Sequence, residues 1–309
     1  WAPAKLERQL PALQSEPELA LVASQAWAID SKGARLQGLA MRHELKHDDL
    51  TPAQLCYRNP IITSSVLMRR TAYDDAGGFD TEIQFGEDWD LWLRIALTWR
   101  LGLVQEPLLF YRFHRGAQNQ LPTPQRADSL LKDRLRMLGR AFSTAPRLFS
   151  SRVRMESLAS AHAISAFTNF ALGRGAPGAR QLARAVEIDR NTWTDEDQLR
   201  DILVHYAFLA AAADHSDTIE AGIRCIETAT ACWPEAVRLS SRPGFRRKAL
   251  GELYAQLGFS SLVRDDLELT QLCFTRALVN DLSWARNLGL ILALARLTFR
   301  LPPCSQRQE

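Results

Sequence analysis

The sequence predicts an α/β part followed by an all-helical part. Up to about residue 120, short apolar runs alternate with segments of helical period, which is typical of an α/β arrangement. After a polar, proline-containing stretch at residues 118–124, the chain is rich in Ala, Leu and Arg, and its Gly and Pro residues separate segments of helix length. We therefore place two domains, at residues 1–120 and 125–309.

The first elements are a short helix and a buried strand. Three leucines at helical spacing follow Pro3 and predict a helix over residues 5–13. Residues 19–29 form a mostly apolar run that ends at Asp30 and Gly33, both turn formers, which predicts a buried strand and its turn.

Three further short elements follow. Thr51 and Gln54 have the capping-box spacing around Pro52, which predicts that a helix begins there. Residues 61–67 are rich in β-branched side chains and predict a strand. Residues 71–76 predict one or two helical turns, which the following pair of glycines stops.

The last elements of the first domain are a helix and an edge strand. Residues 87–99 carry apolar side chains at intervals of three and four, which predicts one broad apolar helix face with its tryptophans in the core. Asp90 and Arg94 are spaced to pair along that helix. Residues 101–113, interrupted by Pro107, predict one or two edge strands.

The sequence of the second domain predicts helical hairpins. The spacing from Gly173 to Ala185 resembles the second helix of a tetratricopeptide repeat, and the residues around Ala277 repeat part of it. The distance between these two alanines is not a multiple of the roughly 34-residue repeat period. We therefore expect degenerate, tetratricopeptide-like hairpins.

Composition excludes several classes of protein. Of 309 residues, 46% are hydrophobic and 24% charged, which favours a globular chain over a disordered one. A net charge of +3 is too small to indicate a nucleic-acid partner. Five cysteines without a CxxC pair indicate reduced thiols and a cytoplasmic location. The arginine-rich segments are typical of solvated helix faces, with peripheral attachment to the cytoplasmic face of a membrane as the alternative. Because residue 1 is Trp, we expect a truncated chain.

The strongest cluster of chemically active residues surrounds the predicted helix at residues 87–99. Gly77, Gly78, Phe79 and Asp80 precede it, and Glu87 and Asp88 open it. Acidic residues at a helix start complement the helix dipole without any further function. That explanation leaves out the double glycine before the helix and the Tyr-Arg-Phe-His sequence at residues 111–114 after it.

Together, residues 77–80, 87–94 and 106–114 resemble the second half of the inverting family 2 glycosyltransferases of the GT-A fold. Residues 64–70 resemble the strand before the glycine turn in that family, and residues 1–9 resemble the segment after its metal-binding Asp-x-Asp motif. The resemblance covers about residues 1–120. It implies an incomplete GT-A domain, a mixed sheet with flanking helices, whose nucleotide-binding half precedes Trp1.

The resemblance also implies a reaction and its residues. A sugar would pass from a nucleotide-sugar donor to a hydroxyl of a glycan or lipid-linked sugar, with Asp88 as the base that takes the hydroxyl proton. Gly77, Gly78, Phe79, Asp80 and Glu87 would line the acceptor site. His114 would reach a divalent cation, Mg or Mn, or the diphosphate. The alternatives are an ordinary turn for the two glycines and a surface position for His114.

Two other functions compete with this interpretation. Residues 43–47 match the H-E-x-x-H zinc pattern, but their charged flanks favour a surface connection over a buried zinc helix. The second alternative is a non-catalytic scaffold, in which the helical domain contacts protein partners beside a remnant transferase domain.

Overall fold

The computed structural model describes residues 1–30, 32–39, 50–112, 123–191, 193, 195–213, 218–234, 237, 244–263 and 266–299. The chain is mostly helical with a small mixed sheet. Its strands are β1 (Leu19–Ile29), β2 (Arg35–Leu39), β3 (Leu67–Met68) and β4 (Arg100–Arg112). The helices of the first 150 residues are α1 (Lys5–Ser15), α2 (Pro52–Leu55), α3 (Arg70–Asp75), α4 (Glu87–Ala96) and α5 (Pro124–Thr144). The later helices are α6 (Ser151–Ala171), α7 (Gly175–Ile188), α8 (Glu196–Ala213), α9 (Thr218–Ala231), α10 (Phe245–Val263), α11 (Leu267–Asn280) and α12 (Leu288–Phe299).

The chain divides into two compact units, at a place that differs from the predicted boundary. The first unit contains residues 1–120 and 128–161, and the second contains residues 121–127 and 162–309. Most of α5 and the first half of α6 therefore belong with the sheet. The reason is packing, because Met137, Leu138 and Ala141 on α5 are buried in the same core cluster as the apolar face of α4.

The sheet is built around β1. Strand β4 pairs with β1 in parallel along its whole length, while β3 and β2 pair with it antiparallel at opposite ends of the strand. Ten of the eleven β1 residues are buried, as expected of a central strand covered on both faces. The predicted strand at residues 19–29 is confirmed.

Several local predictions are confirmed in the same unit. The Thr51 side chain caps α2 by accepting a hydrogen bond from the Gln54 amide. The Asp30 carboxylate accepts hydrogen bonds from two turn amides, and Gly33 has a φ of 91°. Trp92 is 1% exposed and belongs to the core cluster, and Trp89 and Trp99 pack against that cluster.

The prediction of a strand over residues 61–67 is wrong for most of its length. Residues Thr63–Ser65 form a 3₁₀ turn, and only Leu67–Met68 pair with β1. The Ser65 amide donates to the Ile62 carbonyl at 2.8 Å, so this backbone closes on itself. Hydroxyl-bearing residues favour such local turns over strand pairing, and here that preference prevails over the β-branched composition.

In the second unit, α8 packs against α9 and α10 packs against α11. Ala185 and Ala277, on which the repeat pattern depended, are both buried. Glycines allow close approach between neighbouring helices: a Cβ on Gly178 would lie 2.4 Å from the Phe170 ring, and one on Gly258 would lie 2.4 Å from the Phe274 ring. The prediction of a helical second part is confirmed, and its resemblance to tetratricopeptide repeats stays a prediction.

Within the described residues, none of the helices combines the length and the apolar character that crossing a bilayer requires.

A buried ion cluster holds α4 in the first unit. Asp90 is 1% exposed, and its Oδ2 accepts from Arg94 Nε at 2.7 Å, as the i, i+4 spacing predicted. Arg140 from α5 approaches the same oxygen at 3.6 Å. Arg94 also donates from Nη1 to the Ala76 carbonyl at the end of α3. The cluster therefore joins α3, α4 and α5.

Replacing Arg94 with Leu should lower the free energy of unfolding by about 3–5 kcal/mol, because removing one partner leaves a buried charge poorly compensated. Urea denaturation monitored by circular dichroism measures this loss. The matched control is Arg100→Leu, whose side chain is 63% exposed in its pairs with Glu16 and Glu18; it should cost no more than about 1 kcal/mol. Equal losses for the two variants would contradict the assigned role of the cluster.

Candidate functional site

The glycine pair forms a tight turn that ends α3. Gly77 and Gly78 have φ angles of 77° and 68°, which side-chain-bearing residues adopt only with strain. The Gly78 amide donates to the Tyr73 carbonyl at 3.0 Å, and a Cβ on Gly78 would lie 2.9 Å from the Tyr73 hydroxyl. A Cβ on Gly77 would meet nothing within 4 Å. The backbone conformation therefore accounts for glycine at both positions, and the space beside Gly77 is open.

The residues after this turn have different surroundings. Phe79 is 42% exposed and contacts the Tyr73 ring edge-on, with centroids 5.9 Å apart. Asp80 is paired within the protein: Arg140 donates to its Oδ2, and the Glu82 amide donates to its Oδ1 at 2.9 Å. The Arg140 hydrogen bond, followed by that of the Glu82 amide, lowers the pKa of Asp80. These contacts favour a structural role for Asp80, and its role in binding stays a prediction.

Helix α5 also holds the end of the loop that connects the glycine turn to α4. The Asp133 carboxylate, 5% exposed, accepts the backbone amides of Gln84 at 3.0 Å and Phe85 at 3.2 Å. Arg136 pairs with Glu82 and lies 3.5 Å from Asp80. The segment between the glycine turn and α4 is therefore held by three charged residues of one helix.

The predicted acidic pair opens α4 with unequal exposure. Gly86 precedes the helix with a φ of 77°, Glu87 is exposed, and Asp88 is half-buried. Both carboxylates lie in the first turn, where the helix dipole favours negative charge. Asp88 also contacts side chains of a distant segment of the chain.

The Asp88 carboxylate lies against a loop from another part of the chain. Its Oδ1 accepts hydrogen bonds from the Trp89 amide at 2.6 Å and from Asn59 Nδ2 at 3.3 Å. Its Oδ2 accepts from the Thr63 hydroxyl. An ionised carboxylate has about four acceptor positions, so these three donors leave one position, on Oδ2, for a further donor. This geometry suits a base that receives a hydroxyl.

The remaining sequence predictions concern His114, the H-E-x-x-H pattern and a bound metal. His114 and the H-E-x-x-H residues 43–47 are outside the described residues. Across the described ranges, no three His, Cys, Asp or Glu side chains come together as a metal site. One cleft of about 460 Å³ lies at the other end of α4, beside Trp99 and Leu148, and another of about 370 Å³ lies in the second unit beside Arg200 and Trp284. Asp88 lines neither of these two clefts.

The sequence did not single out the residues that contact the predicted base. Asn59 and Thr63 precede Asp88 by 29 and 25 positions and belong to no motif that we recognised. Arg140 belongs to the arginine-rich segments that the sequence analysis assigned to solvated helix faces, yet it contacts Asp80 and Asp90. The available signal was Asn59 before the β-branched residues 61–63 and the two serines after them, since amide and hydroxyl side chains favour local turns.

Comparison with known proteins identifies no relative, because no family model, curated protein or solved structure matches the chain significantly.

We expect the ion pair of Asp80 to contribute to the loss of folding stability at acid pH. A lowered folded-state pKa means that the carboxylate stabilises the fold fully above its unfolded pKa of about 3.9, and that this stabilisation is lost as the pH falls through the folded value. We expect Asp80→Asn to lose stability at pH 7 and to show a smaller further loss below about pH 4 than the wild type does. Urea unfolding across a pH series measures both. The same acid dependence in both proteins would contradict the ion pair.

Proposed function

We propose that the first unit is the acceptor-side part of an inverting glycosyltransferase of the GT-A type, with Asp88 as its catalytic base. The three motif segments of the sequence analysis support the family. The observation that carries the chemistry is the Asp88 carboxylate, which is half-buried, held by three donors, and left with one acceptor position. The sheet with helices packed on it is compatible with part of such a domain.

The proposed reaction is a single displacement. An acceptor hydroxyl donates its hydrogen bond to the remaining position on Asp88 Oδ2, and the carboxylate takes the proton as the oxygen attacks the anomeric carbon. The bond between that carbon and the nucleoside diphosphate breaks on the opposite face, so the configuration inverts. The hydroxyl becomes acidic only during attack, and an ordinary carboxylate is therefore a sufficient base.

The donor side of the site is proposed to lie in sequence that precedes Trp1, as the family resemblance implies. A divalent cation, Mg or Mn, would stabilise the leaving diphosphate when it is bound. His114 is the residue of this chain proposed to approach it. The role proposed for Asp88 is proton transfer from the acceptor hydroxyl, a step that this side chain performs itself.

The other residues that the resemblance implies are proposed to line the acceptor site. Gly77 offers open backbone and Phe79 an exposed ring, both on the turn that precedes α4. Glu87 is exposed beside Asp88. The acceptor class we propose is a glycan or a lipid-linked sugar, because each presents hydroxyls to such a base. A lipid-linked acceptor would place the protein at the cytoplasmic face of a membrane.

A second candidate function rests on the helical unit. Its packed pairs, α8 with α9 and α10 with α11, resemble repeat hairpins that bind protein partners. In that case the first unit would be a remnant transferase domain. The DNA upstream of the Trp1 codon separates the two: an Asp-x-Asp strand encoded there favours the enzyme, and a start codon there favours the scaffold.

The enzymatic proposal predicts the behaviour of Asp88→Asn in the chain together with the segment proposed to precede Trp1. Loss of the base should lower turnover by about 10²–10⁴-fold, while circular dichroism and urea unfolding stay close to wild type. The assay is release of nucleoside diphosphate from a panel of nucleotide sugars, with glycan or lipid extracts as acceptors and Mg²⁺ or Mn²⁺ present.

The control is Asp75→Asn, which removes an exposed carboxylate of α3 in the same unit. It should retain wild-type turnover. An Asp88→Asn protein that keeps wild-type turnover would refute the assignment of the base.

A further inference from the structure

The loop that contacts Asp88 is anchored by side chains from other parts of the chain. This loop, residues 55–66, connects the end of α2 to β3 and contains one 3₁₀ turn. Six of its backbone carbonyls accept hydrogen bonds from side chains outside the loop, those of residues 55, 56, 57, 64, 65 and 66. They form two groups of three, one at each end, which we call the first and second anchors.

The first anchor involves helices α4 and α5. Trp89 Nε1 donates to the Leu55 carbonyl at 2.6 Å. Arg134 Nη2 donates to the Tyr57 carbonyl at 2.7 Å and to the Cys56 carbonyl at 3.3 Å. The Arg134 guanidinium also lies over the Trp89 ring, 4.3 Å from its centroid, which is a cation–π contact. Because Trp89 directly follows Asp88, this anchor ties the loop to the start of α4.

The second anchor comes from the first nine residues. Three consecutive carbonyls each accept one side-chain donor: Ser64 from Trp1 Nε1 at 2.9 Å, Ser65 from Gln9 Nε2 at 2.8 Å, and Val66 from Lys5 Nζ at 3.5 Å. Gln9 Nε2 also donates to the Val22 carbonyl on β1, 2.8 Å away. The loop is therefore fixed to both α1 and the central strand.

Lys5 makes the second anchor unusual. Its side chain is 1% exposed, and its Nζ contacts Gln9 Oε1 at 2.6 Å and lies 4.7 Å from the Trp1 ring centroid. Burial lowers the pKa of this ammonium group. A buried cation is costly unless its hydrogen bonds are satisfied, so this polar network tolerates little displacement of the loop.

Two side chains in the part of the loop between the anchors donate hydrogen bonds to Asp88. Asn59 accepts the Ile61 amide through Oδ1 at 3.1 Å, which orients its Nδ2 toward Asp88 Oδ1 at 3.3 Å. Thr63, at the start of the 3₁₀ turn, donates from its hydroxyl to Oδ2. Each carboxylate oxygen thus has one donor from the anchored loop.

We propose that Asn59 and Thr63 are positioning residues, which hold the Asp88 carboxylate in one rotamer and direct its remaining acceptor position toward the incoming hydroxyl. This inference rests on the proposed function of Asp88. Neither residue needs to touch the acceptor. Their removal should therefore lower kcat and leave the acceptor KM nearly unchanged, since misplacing a catalytic group by about 1 Å can cost roughly 10²-fold in rate.

The test uses Thr63→Val and Asn59→Ala in the chain together with the segment proposed to precede Trp1. Each variant should lower kcat at least about tenfold, with the acceptor KM within about threefold of wild type. Thr63→Ser retains a hydroxyl and should restore most of the rate. Ser64→Ala is the matched control, since it removes the neighbouring hydroxyl, leaves the Ser64 carbonyl in place, and should behave as wild type.

A second readout does not depend on activity. In ¹⁵N-labelled protein, the side-chain amide resonances of Asn59 should shift in both Asp88→Asn and Thr63→Val and stay unchanged in Ser64→Ala. This measurement follows the contact between Asn59 and Asp88 and can be made on the 309-residue chain, without an activity assay.

The outcomes separate the two proposals. If Asp88→Asn is inactive while Thr63→Val and Asn59→Ala keep wild-type kcat, the positioning role is overturned and the base assignment stands. A large rise in acceptor KM with unchanged kcat, or a Thr63→Ser rate as low as that of Thr63→Val, also overturns the positioning role. An active Asp88→Asn protein overturns both.

Discussion

The first unit depends on the buried carboxylate of Asp90. Arg94 and Arg140 both approach its Oδ2, and through them α4 is joined to the end of α3 and to α5. Arg140 continues this connection to Asp80, at the start of the loop before α4. Because Asp88 lies half a turn before Asp90 on the same helix, the buried cluster determines where the proposed base is directed.

Around this cluster, polar side chains hold two loops in place. The loop before α4 is held by Asp133 and Arg140, and the loop opposite Asp88 is held by Trp89, Arg134 and the α1 side chains. Hydrogen bonds of this kind add little to stability on balance, and they restrict the geometry of the two loops. Such geometric constraint is what a general base requires, because proton transfer depends on hydrogen-bond reach.

Local patterns predicted much of the fold. The α4 helix, its Asp90–Arg94 pair and the Thr51 cap depend on residues within four positions of one another, so their spacing carries the information. The contacts of Asp88 with Asn59 and Thr63 were not predicted, because they depend on the tertiary path of the chain. The assignment of α5 to the first unit was missed for the same reason, since an amphipathic helix does not reveal which core it covers.

The most direct test of the account is a crystal structure of the chain together with the segment proposed to precede Trp1, bound to a nucleotide sugar and an acceptor. We predict an acceptor hydroxyl at about 2.6–3.2 Å from Asp88 Oδ2, with Asn59 and Thr63 still on the same carboxylate. An acceptor hydroxyl that instead contacts a different base, with Asp88 out of hydrogen-bond reach, would contradict the central claim.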